Sequence, residues 1–267
     1  MKKILILCFV TALIMSCQAD KNSVKVILKA SGEVLEEQRN VSDFNEVIVS
    51  GPVDLILRQS SGESCRVESY ESILDNLVTE VVDSILYVFL PDSNEVEFFE
   101  EYFNKQVPPS RINNNQIRWK NGKRVFNIYL DFKTLRAISL AGDSDLILKG
   151  SMKQEKIDIA VIGKSDIKMD MNVNQLNLEV AGVADCDFSG RADDFLFDCA
   201  GMGTVDALDL RSQDVNINVA GVGRARVFPA GTLMVNIAGV GRIYYKGDPE
   251  EIVVDKAGLG KVKKINE

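Results

Sequence analysis

The sequence predicts an all-β chain wound as a single-stranded, right-handed parallel β-helix, a β-solenoid with a repeat of about 19 residues. Three observations carry this. Glycines recur at 142, 163, 182, 201, 221, 239 and 258, in steps of 21, 19, 19, 20, 18 and 19. The positions flanking each glycine alternate apolar and polar, the period-two signature of a half-buried strand. No stretch keeps a helical period. A repeat of this length marks stacked units that bury their apolar side only against their neighbours. An antiparallel sandwich also has closely spaced strands, but it does not need one residue type at the same corner seven times. Right-handed coiling is expected from the rule for parallel crossovers.

Each element follows from the columns counted from the glycine. Six before it stand Arg136, Ile157, Leu176, Phe195, Val215, Leu233 and Ile252. Four before stand Ile138, Ile159, Leu178, Phe197, Ile217, Val235 and Val254, and two before stand Leu140, Val161, Val180, Cys199, Val219, Ile237 and Lys256. Four after stand Leu146, Ile167, Cys186, Val205, Ala225, Ile243 and Val262, and six after stand Leu148, Met169, Phe188, Ala207, Val227, Tyr245 and Lys264. These columns face inward, and each repeat reads strand, corner, strand. The last repeat turns polar at Lys256 and Lys264, as a terminal cap should. Small residues flank the glycine, so coils can approach at about 4.8 Å. Glycine there is expected to supply a positive φ, and Gly221→Val is expected to destabilise by clash and by φ strain.

Upstream, Phe44-Asn45-Glu46-Val47-Ile48-Val49-Ser50-Gly51 fits the same template, with Leu55 and Leu57 after the corner. The runs Cys65 to Tyr70, Leu77 to Leu90 and Val125 to Phe132 read as further coils without the glycine corner. The β-helix domain is therefore expected over 41–267, interrupted by an insertion at about 92–124.

The N-terminus reads as an address. Lys2 and Lys3 precede an apolar run from Ile4 to Met15, too short to span a bilayer but matched to a signal-peptide core. Ile14-Met15-Ser16-Cys17 resembles the lipobox of bacterial lipoproteins. That resemblance implies a signal peptide at 1–16, cleavage before Cys17 and lipidation of Cys17. Residues 17–40 then form a lipidated tether and leading strand. By likeness to enterobacterial sorting, Gln18 favours an outer-membrane lipoprotein, periplasmic or surface-exposed.

Composition excludes whole classes of chemistry. There is no histidine among the 267 residues, which removes histidine triads, imidazole acid–base chemistry and histidine-ligated zinc. The net charge of −8 argues against nucleic acid as a partner. Cys65, Cys186 and Cys199 follow no metal-site spacing, and two of them fall on inward columns, so they read as buried hydrophobes. A Cys186–Cys199 disulfide is the alternative. No cofactor and no resident metal are expected.

The segments Val-Ala-Gly-Val-Gly at 219–223, Ile-Ala-Gly-Val-Gly at 237–241 and Cys-Ala-Gly-Met-Gly at 199–203 resemble the family called "putative auto-transporter adhesin, head GIN domain" of Bacteroidetes envelope proteins. The opening Phe44 to Gly51, with Asp54-Leu55-Ile56-Leu57, is similar to that family's start, and the likeness runs from Val41 to Ile265. It implies a right-handed β-helix on a lipid or cell-wall anchor, acting in adhesion without a defined ligand.

Surface chemistry is the remaining clue to function. Three residues past the corner the outward column reads Asp145, Asp166, Asp185, Thr204, Arg224, Arg242, Lys261, and the column at five adds Asp187, Asp206, Arg226 and Lys263. One face therefore turns from acidic to basic along the stack. A solvated charged face is the plainest reading. A cation ladder at Asp145, Asp166 and Asp185 is another. A third has the basic end, with Arg224, Arg226, Arg242 and Lys261, bind an anionic glycan or lipid phosphate, or the acidic end of a second copy. The insertion reads first as a cover whose aromatics pack on one side of the β-helix; the functional alternative is a ligand lip, with Trp119, between Arg118 and Lys120, a candidate for stacking on a sugar. Asp185 with Asp187 has the spacing of paired carboxylates, yet no catalytic residue is assigned and no enzyme is expected. The expected function is a surface-binding module or adhesin anchored to the membrane through its lipid. The alternative is a structural envelope protein that assembles as a homo-oligomer through charged faces or end coils. A carbohydrate-active enzyme comes third.

Overall fold

The computed structural model describes residues 25–26, 31–90, 116–117 and 126–266. In chain order the strands are β1 (Lys25–Val26), β2 (Val34–Arg39), β3 (Glu46–Ser50), β4 (Val53–Gln59), β5 (Ser64–Tyr70), β6 (Val78–Val82), β7 (Ile85–Phe89), β8 (Gln116–Ile117), β9 (Phe126–Phe132), β10 (Ala137–Ala141), β11 (Asp145–Val161), β12 (Lys164–Val180), β13 (Val183–Cys199), β14 (Met202–Val219), β15 (Val222–Ile237), β16 (Val240–Tyr245), β17 (Glu251–Lys256) and β18 (Leu259–Lys264). One short helix, α1 (Glu71–Leu74), follows β5. Cys17, the signal segment, Trp119 and most of the 92–124 insertion lie outside the described residues.

The chain is a β-solenoid. Each of β11 to β15 is one coil that leaves a glycine corner, bends midway and returns to the next corner. Register is parallel throughout: Ile157, Leu176, Phe195, Val215, Leu233 and Ile252 stand in one file. Leu146, Ile167, Cys186, Val205, Ala225, Ile243 and Val262 stand in another. Up to Leu233 in the first file and Ile243 in the second these residues belong to one continuous core, with Phe188, Phe195 and Phe197 fully buried. Arg136 departs from its column: it is exposed and pairs with Glu46, while Leu135 beside it is buried. Repeat length varies because register shifts fall at the bend opposite the glycine, between Ile147 and Ser151, Asp187 and Ser189, Ala207 and Arg211, and Ser212 and Asp214. Bulges there take up extra residues without disturbing the corner.

The upstream segments are corrected in direction. β4 and β9 pair in parallel, as do β3 and β7, extending the stack. Cys65 to Tyr70 and the first half of Leu77 to Leu90, however, run antiparallel: β5 pairs β9, β2 pairs β5, and β6 pairs β7. Asp83 and Ser84, both at positive φ, make the two-residue turn between β6 and β7, the geometry a tight hairpin requires. The coil from β7 to β9 also stacks outside the coil from β3 to β4, so chain order and stacking order differ here.

The reason for the corner glycines is likewise corrected. Only Gly51 and Gly142 among them have positive φ, 108° and 84°. At the others the obstacle is the coil beneath. A Cβ on Gly163 would lie 1.8 Å from the Gly142 carbonyl oxygen, and one on Gly221 would lie 2.1 Å from that of Gly201. The second glycines, Gly203, Gly223 and Gly241, face inward, where a Cβ would strike Phe197, Val219 and Ile237.

Cys65, Cys186 and Cys199 are buried free thiols, and no disulfide joins Cys186 to Cys199. Burial pushes the Cys65 thiol up to about 12 and raises Cys186 and Cys199 as well.

Candidate functional site

The outgoing face, built by the strand after each corner, carries the charged columns. Their positions follow from pleat: with the residues two, four and six past the glycine turned inward, those at one, three and five turn out. Register sets Lys164, Val183, Met202, Val222, Val240 and Leu259 in the first outer column. Asp145, Asp166, Asp185, Thr204, Arg224, Arg242 and Lys261 occupy the second; Asp145 stands one rung from Asp54, in register with β4. The sequence-assigned residues Arg224, Arg226, Arg242 and Lys261 thus share one face.

Between the first two columns runs an open groove of about 520 Å³, floored by Gly203 and Gly223 and edged by Asp185, Arg224 and Arg242. A second depression of about 650 Å³ continues past Arg226, Arg242 and Tyr244 toward Lys264. The apolar column was not anticipated. Met202 is 54% exposed, Val222 50% and Leu259 76%, with Val183 and Val240 close behind. An outward strand position is ordinarily polar, so the run of valine, methionine and leucine immediately after each glycine was the signal that could have found it.

Local partners separate the cations. Arg226 bonds Asp206 one rung below at 2.7 Å. Arg224, Arg242 and Lys261 form no ion pair with another described residue. On the acidic half, Asp145 accepts a hydrogen bond from the Asp166 backbone N–H at 3.1 Å, and Asp187 lies 3.4 Å from Lys168. Asp185 has no such neighbour. Burial raises its carboxyl above the ordinary aspartate range, Asp166, Asp187 and Asp206 raise it further, and Arg224 opposes them. Among the described residues no group of three or more acidic or cysteine side chains is arranged to hold a metal ion. Asp185 and Asp187 sit on open surface, and Asp187 is engaged by Lys168.

The return face carries a polar ladder of a different kind. Asn236 donates to Asn218 at 2.8 Å, Asn218 donates to Asp198 at 2.6 Å, and Asn177 donates to Asp158 at 2.7 Å. These bonds tie rung to rung, while Asn177 Oδ1 and Asn216 Oδ1 on the same face stay buried without a hydrogen-bond partner. Near the antiparallel end, Arg58 grips Asp131 with two hydrogen bonds of 2.8 and 2.7 Å, and Arg66 stacks on Tyr129 at 3.9 Å. Arg224, Arg242 and Lys261 differ from these in standing together in one file of the outgoing face.

No helix among the described residues is long and apolar enough to cross a membrane. The fold is shared with solved structures of low identity. A putative adhesin from Bacteroides fragilis is 23% identical, with 89% of this chain and all of that one covered at a TM-score of 0.74. A putative lipid-binding protein from Parabacteroides distasonis is 23% identical over 90% of this chain and all of that one, at 0.66. A putative adhesin from the same organism is 18% identical over 91% and all, at 0.68. No curated protein matches the sequence. Residues 43–249, more than half of the chain and the whole run of parallel coils through β16, match one family, and the protein belongs to it: "Putative auto-transporter adhesin, head GIN domain".

Proposed function

We propose that the protein is a non-enzymatic binding module of the cell envelope, held at the membrane by lipid on Cys17, that takes an anionic envelope component on its basic groove. The observation that carries this is the trio Arg224, Arg242 and Lys261, in one file beside exposed Val222, Val240 and Leu259 and unpaired among the described residues. Rungs about 4.8 Å apart place three like charges within about 10 Å. Such a file repels itself until an anion bridges it. Guanidinium groups match carboxylate and phosphate geometry better than ammonium does. Family membership supports the adhesin role and an envelope location.

The groove favours one ligand chemistry over another. A purely polar glycan uses the cations and leaves the apolar column wet. An anionic amphiphile, with phosphate on the arginines and acyl chain along Val222 and Val240, uses both. That Parabacteroides relative described as lipid-binding supports this second reading.

Two arms distinguish them. Binding is measured on an acidic-glycan array and by co-sedimentation with phosphatidylglycerol or phosphatidylcholine vesicles. The variant is Arg224→Glu/Arg242→Glu/Lys261→Glu, with Arg226→Glu as a companion. The triple variant should lose at least tenfold in whichever arm the parent binds. Arg226→Glu should lose less, because Asp206 already holds that guanidinium. A triple variant that binds both classes as the parent does removes the proposal.

A further inference from the structure

The second outer column is antisymmetric in charge about Thr204. One rung to either side stand Asp185 and Arg224, and two rungs to either side stand Asp166 and Arg242. None of these four makes an ion pair with another described residue. The third column neutralises itself instead, through Lys168–Asp187 and Arg226–Asp206. The first column is apolar at the same level: Val183, Met202 and Val222 flank the Thr204 rung at 40%, 54% and 50% exposure. A face that is acidic on one side, basic on the other and apolar at the centre is complementary to itself after a half-turn.

We propose that two copies of this chain associate through their outgoing faces with stacks antiparallel, about a two-fold axis lying in the interface along the Met202–Thr204 strand. This operation sets each column against its own counterpart and reverses the order of rungs. Asp185 of each copy then meets Arg224 of the other, and Asp166 meets Arg242. Met202 meets Met202, and Val183 meets Val222; in the third column Asp187 meets Arg226, and Asp206, already neutralised by Arg226 of its own chain, meets its counterpart on the axis. An isologous contact of this kind closes on itself and stops at a dimer. The parallel arrangement, with the two-fold along the stack, puts aspartate on aspartate and arginine on arginine and is rejected by charge. Burial and then Asp166, Asp187 and Asp206 raise the Asp185 carboxyl against Arg224 of the same chain, and a second Arg224 from the other copy adds to that opposition.

The scale follows from the geometry. Five rungs at about 4.8 Å and a strand width of about 13 Å give a footprint of roughly 300 Å², from strand spacing and rise. Standard interfaces cover about 800 Å² per partner. The dimer is therefore weak and transient and is dissolved by salt, since the Debye length is only about 8 Å at physiological ionic strength. It also covers Arg224 and Arg242, so an anionic ligand and a second copy compete for the same cations.

The test is sedimentation equilibrium of the purified chain at low and high salt, with Arg224→Asp and Asp185→Arg variants checked for parental circular dichroism. The parent should dimerise at low salt and dissociate at high salt. Each variant alone should be monomeric, because each faces like charge with like. An equimolar mixture of the two should restore the dimer, since one copy then offers two acids and the other two bases at the paired positions. A parent that stays monomeric at low salt overturns the proposal. So do dimers that persist in both single variants, or a mixture of folded variants that fails to associate. The proposal stands apart from ligand binding: Asp185→Arg abolishes the dimer while leaving Arg224, Arg242 and Lys261 in place for an anion.

Discussion

Replacing Gly221 by alanine isolates the force that shapes every coil. The added Cβ would sit 2.1 Å from the Gly201 carbonyl oxygen, 2.3 Å from that of Ala200 and 2.7 Å from the Ala200 carbonyl carbon. Ordinary contact needs at least 3.4 Å, so the rungs must part by more than 1 Å at this corner. Three backbone bonds cross there: Ala220 N–H to Cys199 at 2.9 Å, Gly221 N–H to Cys199 at 3.1 Å, and Val222 N–H to Gly201 at 2.9 Å. Parting by that distance breaks them, at about 1 kcal/mol each net. Residual overpacking adds about 1 kcal/mol. The expected loss is therefore about 4 kcal/mol, read as a lowered urea midpoint by far-ultraviolet circular dichroism. Two companions separate sterics from dihedral strain. Gly150 has φ 80° and open space around it, so Gly150→Ala should lose only the left-handed penalty of about 1–2 kcal/mol. Gly62 has neither restriction, and Gly62→Ala should change stability by less than about 0.5 kcal/mol. If Gly221→Ala falls within about 0.5 kcal/mol of the parent, or Gly62→Ala is the costlier of the two, close approach is not what selects glycine at the corner.

Two further outcomes follow from buried and crowded titratable groups. Because burial and neighbouring carboxylates raise Asp185, the folded chain binds that proton more tightly than the unfolded chain, and stability falls as pH rises through the raised value. Asp185→Asn should therefore raise the thermal midpoint of the dilute protein at pH 7, and the gain should vanish below the ordinary aspartate value of about 3.9, where both states are protonated; a lowered midpoint at pH 7 contradicts the assignment. Cys65, Cys186 and Cys199 are buried with thiols held protonated, so iodoacetamide at pH 8 should leave them unmodified in the folded chain and label all three in denaturant, by peptide mapping. Rapid labelling of Cys186 in the native protein contradicts the core register.

The inward files were legible because a stacked coil repeats its register, and a pleat has one period. Gly51 was found by the same template, 91 residues upstream of Gly142, and a Cβ on Gly142 would indeed meet Gly51 N at 2.6 Å. Strand direction was not legible. Alternation in Cys65 to Tyr70 looks alike whether the strand pairs in parallel or, as β5 does, in reverse. The β6–β7 hairpin was hidden because Asp83-Ser84 is not a turn pair that advertises itself, although both residues adopt positive φ. Nor does a glycine in a sequence say why it is there: Gly142 serves both by its φ and by close approach to Gly51, and Gly163 by the carbonyl beneath it alone. The cations Arg224, Arg242 and Lys261 were found from column position alone. That Arg226 is already spoken for by Asp206 was also within reach, since both lie in one column on adjacent rungs.

The terminal coil shows how the two faces divide the risk of an open sheet end. Among the described residues β17 pairs only with β15, and β18 only with β16, so each has one edge of backbone groups without a described partner strand. On the outgoing face Lys261 and Lys263 crowd that edge with positive charge, the device that discourages a further strand from adding. On the return face the polar cap expected from sequence is incomplete. Lys256 takes its inward position, but Ile252 and Val254 in the same strand are 44% and 37% exposed. The apolar file that runs buried from Ile157 to Leu233 therefore emerges at Ile252. Charge thus guards the end where the cationic groove opens, and the return-face edge is the one left receptive to another strand.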